Sequence, residues 1–210
     1  MKVGFILECG PDGADAKVCR HLIDMINQLH QTDIAINEPV TLGDKPSLIK
    51  DCGTAAKKLL DVDKCDRVVI VFDVDSKKSW NKGRCLATDR KDIFAALDLE
   101  GIDKTKVFLV GIIRELESWL IADGRALEAF LQLVTKRNPG RIASPRNTEH
   151  QADPKAWLNR LFREHWGQRR KYIDREHAEM IVKKLPDFRE IKKCPTFKRF
   201  VLKVSDIELP

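Results

Sequence analysis

The feature that most constrains the fold is an uninterrupted apolar run, Val68-Val69-Ile70-Val71-Phe72, that follows Arg67. Five consecutive β-branched or aromatic residues predict a strand that is buried on both faces, and such strands occur in parallel sheets covered by helices. The run ends at Asp73-Val74-Asp75. The sequence therefore predicts two carboxylates at the carboxyl end of a central strand.

The segments around this strand alternate between strand-like and helix-like patterns. Short apolar runs predict strands at 2–7, 33–40 and 106–113, and apolar residues at helical spacing predict helices at 14–30, 48–60, 89–99 and from Glu117 onwards. Ser47 and Asp15 are the expected N-caps of the second and first helices. This order predicts an α/β fold with a doubly wound, mostly parallel sheet.

The last part of the chain differs in charge and pattern. Three helices are predicted there, at 154–165, 174–184 and 195–203. Residues 1–130 hold 19 Lys/Arg and 22 Asp/Glu, whereas residues 131–210 hold 19 and 10. We expect an α/β domain over 1–130 with a basic, mainly helical extension over 131–210 packed on it. A basic extension suits a surface that attracts phosphate, and an ordinary solvated helix face would look the same in sequence.

Several classes of protein are disfavoured by the sequence. No segment approaches the roughly 20 apolar residues that a membrane span needs, and the apolar run at the N-terminus is too short for a signal peptide. The six cysteines form no CxxC pair and no zinc-like cluster. No Walker A, GxGxxG or GxSxG motif is present. We expect a soluble, cytoplasmic protein without a membrane partner.

Acidic residues follow two of the predicted strands. Glu8 ends the first strand, and Asp73 and Asp75 end the third. Ligands of parallel sheets bind at the carboxyl ends of the strands, where three carboxylates would repel one another without a cation between them. Oxygen ligands of this kind suit Mg²⁺ or Mn²⁺. The alternative for these strand-end residues is that they only form turns. Asp12 and Asp15 are further candidates for the site, and their alternative is to cap the first helix, which is the preferred interpretation of Asp15.

The placement of these carboxylates resembles the Toprim family of primases, topoisomerases and nucleases. The matching motifs are Ile6-Leu7-Glu8-Cys9-Gly10-Pro11-Asp12 and Val69-Ile70-Val71-Phe72-Asp73-Val74-Asp75. Cys9 stands where the family usually has Gly. The resemblance implies a Toprim-like sheet and a Mg²⁺ site in which Glu8, Asp73 and Asp75 are catalytic, with Asp12 as an added ligand.

A closer resemblance is to a family of bacterial proteins named domain of unknown function 4276. It rests on Arg114-Glu115-Leu116-Glu117-Ser118-Trp119-Leu120-Ile121-Ala122-Asp123, on Asp153-Pro154-Lys155 and on Cys194-Pro195-Thr196-Phe197. Glu117 is a candidate metal ligand or water-orienting group, and the alternative is that it merely starts a helix. Arg114 is expected to pair with a carboxylate of the site.

Basic residues with an interleaved aromatic ring are typical of nucleic-acid surfaces. The candidate contacts directly after the acidic pair are Lys77, Lys78, Trp80, Lys82 and Arg84. A second candidate patch is Gln168-Arg169-Arg170-Lys171-Tyr172, and a third comprises Lys192, Lys193, Lys198 and Arg199. For the second and third, an exposed helix face is the stronger interpretation.

These observations lead to a hypothesis of function. The chain is expected to be a metal-dependent nuclease that acts on DNA or RNA, and analogy with the resembled family suggests a role in phage defence or DNA repair. One alternative is a catalytically inactive Toprim module that binds nucleic acid or a partner. Another is an effector subunit that works with a partner ATPase.

Overall fold

The computed structural model describes residues 1–74 and 86–210. Its strands are β1 (Lys2–Leu7), β2 (Ala35–Ile36), β3 (Val40–Thr41), β4 (Arg67–Val74) and β5 (Val107–Ile113). Its helices are α1 (Ala14–His30), α2 (Lys45–Lys57), α3 (Leu86–Leu99), α4 (Glu117–Leu120), α5 (Gly124–Thr135), α6 (Pro154–His165), α7 (Asp174–Val182) and α8 (Pro195–Ser205). The predicted α/β class and the three C-terminal helices are confirmed.

The described strands form one parallel sheet in the order β2-β1-β4-β5, with β3 also paired to β1. β1 and β4 are central neighbours, and their register pairs Leu7 with Val71. The residues that follow these two strands therefore emerge at the same edge of the sheet.

Helices cover both faces of the sheet, which confirms the doubly wound architecture. Alternate residues of β4 point to opposite faces, as the two-residue period of a strand requires. Val69 and Val71 pack in a core with α1 and the C-terminal helices, whereas Ile70 and Phe72 pack against α2 and α3. Residues 131–210 share the first of these cores with β1. The ring of Phe200, for example, stacks on Phe5 at 6.2 Å.

The predicted strand at 33–40 is divided in the structure. β2 and β3 are two residues each, and both lie along the same edge of β1. Pro39 stands between them, and proline has no N–H to donate to a sheet. A continuous strand is therefore interrupted just before β3 begins.

Two predicted helix caps were wrong. α2 begins one turn early because the Asp44 carboxylate accepts a hydrogen bond from the Ser47 N–H at 2.9 Å, so Ser47 is the capped residue and not the cap. α1 follows Gly13 as N-cap without any side-chain cap bond, and Asp15 lies inside its first turn. The Asp15 side chain is thus free for another role.

The helix predicted from Glu117 is also divided. α4 ends after one turn, and Asp123 then caps α5 by accepting a hydrogen bond from the Arg125 N–H at 2.9 Å. Leu127 therefore belongs to a different helix from Trp119 and Leu120. The signal for this break was present in the sequence as Asp123, a residue type that often caps helices, followed by Gly124.

A buried polar cluster joins α4 to the C-terminal part. The Trp119 indole N–H donates to the Thr196 hydroxyl at 2.8 Å, and the Thr196 N–H donates to the Glu149 carboxylate at 2.9 Å. All three side chains are buried. Each polar group meets a partner inside the core, so the cluster fixes how the helical extension packs on the sheet.

A close approach of α2 to α3 supports a stability prediction. A Cβ atom at Gly53 would lie 2.4 Å from the Ala96 carbonyl oxygen. We expect Gly53→Ala to lower the free energy of unfolding by about 1–3 kcal/mol because the two helices must separate. Gly10→Ala is the control, since nothing lies within 4 Å of a Cβ there. Equal denaturation midpoints for the two variants would contradict this packing.

Two further features bear on the class of protein. No helix in the two described ranges is long and apolar enough to cross a membrane. Among the described cysteines, Cys9, Cys19, Cys52, Cys65 and Cys194 are free thiols.

Candidate active site

The carboxyl ends of β1 and β4 bring Glu8 to Asp73. The Glu8 N–H donates to the Val71 carbonyl at 3.2 Å, which continues the pairing of the two strands by one residue. The Glu8 carboxylate then accepts a hydrogen bond from the Asp73 N–H at 2.9 Å through Oε2. Glu8 and Asp73 therefore meet at one edge of the sheet through the Glu8 carboxylate and the Asp73 backbone. A metal ion shared by their carboxyl groups stays a prediction.

The Glu8 and Asp73 side chains point to opposite faces of the sheet. The register places Glu8 beside Phe72, and successive residues of a strand point to alternate faces. Glu8 lies on the α2/α3 side, next to Lys45 and Asp89. Burial raises the pKa of Glu8, and the nearby Lys45 ammonium partly opposes this rise. The carboxylates of the edge therefore form two groups rather than one.

Lys45 is the cation of the α2/α3 group, and the sequence analysis missed it. Its Nζ donates to the Asp73 carbonyl and lies 3.3 Å from Asp89 and 3.6 Å from Glu8. Asp89 is buried, and its Oδ1 has no hydrogen-bond partner among the described residues. The available signal was position, since Lys45 begins the helix that Asp44 caps next to this edge.

The second group surrounds the Asp73 carboxyl group on the α1 side. Burial raises the pKa of Asp73 well above its usual value, and the negative charges of Asp15, Glu8 and Glu117 raise it further. Asp15 reaches this position from the first turn of α1, and burial raises its pKa as well. Like charges are thus held together at a site from which water is largely excluded.

The turn between β1 and α1 supports the position of Asp15. The Cys9 thiol donates a hydrogen bond to the Asp15 carboxylate, and burial together with that charge raises the thiol pKa to about 12. A Cβ at Gly13 would lie 2.6 Å from the Cβ of Cys9, so the turn requires glycine there. Cys9 is therefore a packing and hydrogen-bonding residue and not a nucleophile.

Glu115 and Glu117 enter the group from the segment after β5. Arg114 adopts a left-handed backbone with φ 75°, and its N–H donates to the Val74 carbonyl at 3.2 Å. This conformation is unfavourable for a residue with a side chain, and it redirects the chain from β5 into α4. Glu117 is 3% exposed, and burial raises its pKa to about 7 although Lys155 acts against the rise.

Lys155 on the helical extension is the cation of the α1-side group. The Asp153 cap accepts a hydrogen bond from the Ala156 N–H at 2.8 Å, and the Lys155 N–H donates to Glu115 at 3.1 Å. Its Nζ lies 3.4 Å from Glu115 and 3.6 Å from Glu117. Burial opposes the charge on Lys155, but the surrounding carboxylates outweigh it and raise the pKa of the ammonium.

Tyr172 also belongs to this group, which corrects its assignment to an exposed basic patch. The side chain is 7% exposed, and its hydroxyl lies beside the Glu117 carboxylate but outside regular hydrogen-bond geometry in the described chain. Burial and the charge of Glu117 raise the pKa of Tyr172. Neighbouring Arg169, Arg170 and Lys171 are exposed, so the chain turns inward at Tyr172 alone.

Other predicted residues lie away from these groups or outside the described chain. Asp12 is exposed in the turn before α1, where the structure gives it no contact with Asp73. Asp75, Lys77, Lys78, Trp80, Lys82 and Arg84 lie outside the described residues. Across residues 1–74 and 86–210, no three His, Cys, Asp or Glu side chains are grouped closely enough to hold a metal ion.

The chain matches a known protein family over most of its length. The family model described as "Domain of unknown function (DUF4276)" matches residues 14–205. The chain belongs to this family. The comparison with curated proteins found no match, and the comparison with solved structures found none either. The match begins after β1 and Glu8 and covers the other strands and the helical extension, so Lys155 and Tyr172 lie within the matched residues together with Asp73.

The donor set of the edge is compatible with one kind of metal ion. Mg²⁺ usually keeps several waters and binds through one or two carboxylates and substrate phosphates, without a complete protein cage. Asp73 meets that requirement as a single carboxylate, and Glu117 lies close enough to interact electrostatically with it. A site that needs three preformed protein ligands is not present in the described residues.

Proposed function

We propose that the protein is a Mg²⁺- or Mn²⁺-dependent phosphodiesterase that acts on nucleic acid, and that its sheet is Toprim-like. The observation that carries the proposal is the cluster of carboxylates around Asp73 at the shared edge of β1 and β4, bonded to Glu8 through the Asp73 N–H. Clusters of this kind raise the energy of the metal-free state, and a divalent cation relieves the repulsion.

Each group at the edge would have a chemical role. Asp73 would hold the ion, with Asp75 as the further ligand that the sequence predicts, and Glu8 would contact the ion through a bound water. A bound Mg²⁺ supplies charge to stabilise the phosphorane-like transition state and lowers the pKa of a bound water. Glu8 keeps one oxygen outside its bond to the Asp73 N–H, and this oxygen would accept a proton from the attacking water.

Lys155 would position the substrate. Its ammonium lies between Glu115 and Glu117 on the α1 side of Asp73, and a phosphate bound at the edge would meet a positive charge there. The buried Glu117 carboxylate, which lies beside the Tyr172 hydroxyl, would hold the Lys155 ammonium in place. These roles belong to the helical extension, so a fragment of 1–130 would lack them.

The test is cleavage of plasmid, linear DNA and RNA by the purified protein. We expect cleavage with Mg²⁺ or Mn²⁺ and none after addition of EDTA. Glu8→Gln should lower the rate by about a hundredfold to ten-thousandfold, because a neutral amide cannot accept the proton from the attacking water. Asp61→Asn is the control, an exposed carboxylate outside the edge. No cleavage of any substrate with either metal would contradict the proposal.

A second function is favoured by one observation. Lys155 and Lys45 already pair with carboxylates of both groups, and a protein with this internal compensation can be stable without metal. Such a protein would bind nucleic acid without cutting it. Retained binding with no cleavage in any metal would support this module. A cytoplasmic location and a partner ATPase both stay predictions from the sequence alone.

A further inference from the structure

A recess at the outer edge of β5 has a composition that no part of the candidate active site shares. It encloses about 550 Å³ and lies between α3 on one face of the sheet and α8 on the other. The charged residues that line it are all cations, namely Arg90, Lys104, Arg199 and Lys203. No carboxylate lines it in the part of the chain that the structure describes. We name this recess the β5 groove.

Aromatic rings hold the cations of the β5 groove in position. Arg90 and Lys104 lie over the ring of Phe94 at 5.4 and 5.9 Å. Lys203 lies over the ring of Phe108 at 5.3 Å. Both rings are only partly buried. Contacts of this type restrict long side chains at little cost, so the positive charges are partly preorganised.

Most of this charge is available to a ligand. Lys104 is paired with Asp98 at 2.7 Å, which reduces its contribution. Arg90 and Arg199 are exposed and flank the groove from α3 and α8. A surface that combines several cations with aromatic and aliphatic side chains matches a strand whose phosphates alternate with flat, apolar bases.

We propose that the β5 groove binds single-stranded nucleic acid. The inference rests on the proposed function, because it specifies the form of substrate that the edge would cut. The volume is that of a pocket for a small ligand, so it accepts a segment of one extended strand and not a duplex. Phe72 lines the groove from the α2/α3 face of the sheet, and Lys45, which pairs with Glu8, lies over its ring at 5.3 Å. The groove is therefore next to the Glu8 group of the acidic edge.

The experiment measures binding without chemistry. Fluorescence anisotropy in EDTA would measure the binding of an oligothymidylate of roughly 20 nucleotides, which is long enough to span a single-strand binding site. The double variant Arg90→Gln, Arg199→Gln should weaken binding at least about tenfold and reduce the slope of log K against log salt by about one to two. Arg90→Lys, Arg199→Lys should retain most of the affinity.

A matched control removes the same charge elsewhere. Lys50→Gln, Lys58→Gln neutralises two exposed lysines at α2 and should change the affinity less than about twofold. Thermal unfolding of each variant shows that it is folded, and Arg199→Gln alone replaces the double variant if that one is unfolded.

Three results would overturn the inference. The control pair could weaken binding as much as the groove pair, a duplex of equal length could bind tighter than the single strand, or polyglutamate could compete as well as the oligonucleotide. These outcomes are separate from the proposed function. If the groove variants cleave with unchanged kcat/KM, the groove inference is contradicted but the proposed nuclease is not. If the groove binds nucleic acid and no cleavage occurs, the proposed nuclease is contradicted but the groove inference is not.

Discussion

Asp73→Asn is expected to reduce metal-dependent cleavage by at least about a thousandfold. Four other carboxylates raise the pKa of Asp73 by their charge, namely those of Asp15, Glu8, Glu117 and Glu115. An asparagine keeps the shape of the side chain but removes the charge that would bind the ion and the repulsion that favours its binding. Initial rates with saturating Mn²⁺ measure the loss, and calorimetric titration with Mn²⁺ should show that binding is lost as well.

The same variant should be more stable than the wild type when metal is absent. Burial and like charges raise the pKa of Asp73, so the ionised carboxylate is unfavourable in the folded state at neutral pH. Thermal unfolding in EDTA at pH 8 should therefore give a higher midpoint for Asp73→Asn. Asp61→Asn should alter neither quantity. Full cleavage by Asp73→Asn would show that the ion binds elsewhere.

Glu117→Gln is expected to remove a pH dependence of stability between about pH 4.5 and 7. Burial raises the pKa of Glu117 from 4.5 to about 7 in the folded protein. The folded state then binds more protons than the unfolded state in this window, so the stability of the wild type falls as the pH rises through it. A shift from 4.5 to about 7 corresponds to about 3 kcal/mol.

The variant should consequently be more stable than the wild type at pH 8 and about equal at pH 4. Lys155 keeps Glu115 and Asp174 as partners after the substitution, which limits the loss of its own interactions. Urea unfolding at a series of pH values measures the difference, and Glu164→Gln on α6 serves as an exposed control. A wild type whose stability rises from pH 5 to 7 relative to the variant would contradict the raised pKa.

The sequence by itself determined the architecture, because strand and helix patterns are local. The run Val68–Phe72 could only be a buried strand, and the apolar spacing of 154–165 and 195–203 predicted α6 and α8 to within two residues. The sequence also predicted that Glu8 and Asp73 lie at one edge if their strands are neighbours, and the pairing of β1 with β4 supplies that condition. It could not fix short elements such as β2 and β3, whose ends depend on one proline and on pairing with β1.

Only the tertiary structure decided which side chains meet beyond that edge. The alternation of side chains along each strand places Glu8 next to Lys45 and Asp89, and it places the Asp73 carboxyl on the α1 side. Lys155 and Tyr172 reach the same region from more than 80 residues further along the chain, through helices whose packing depends on a shared core. Long-range contacts of this kind depend on how the helices pack against the sheet. They therefore cannot be predicted from the local pattern of residues.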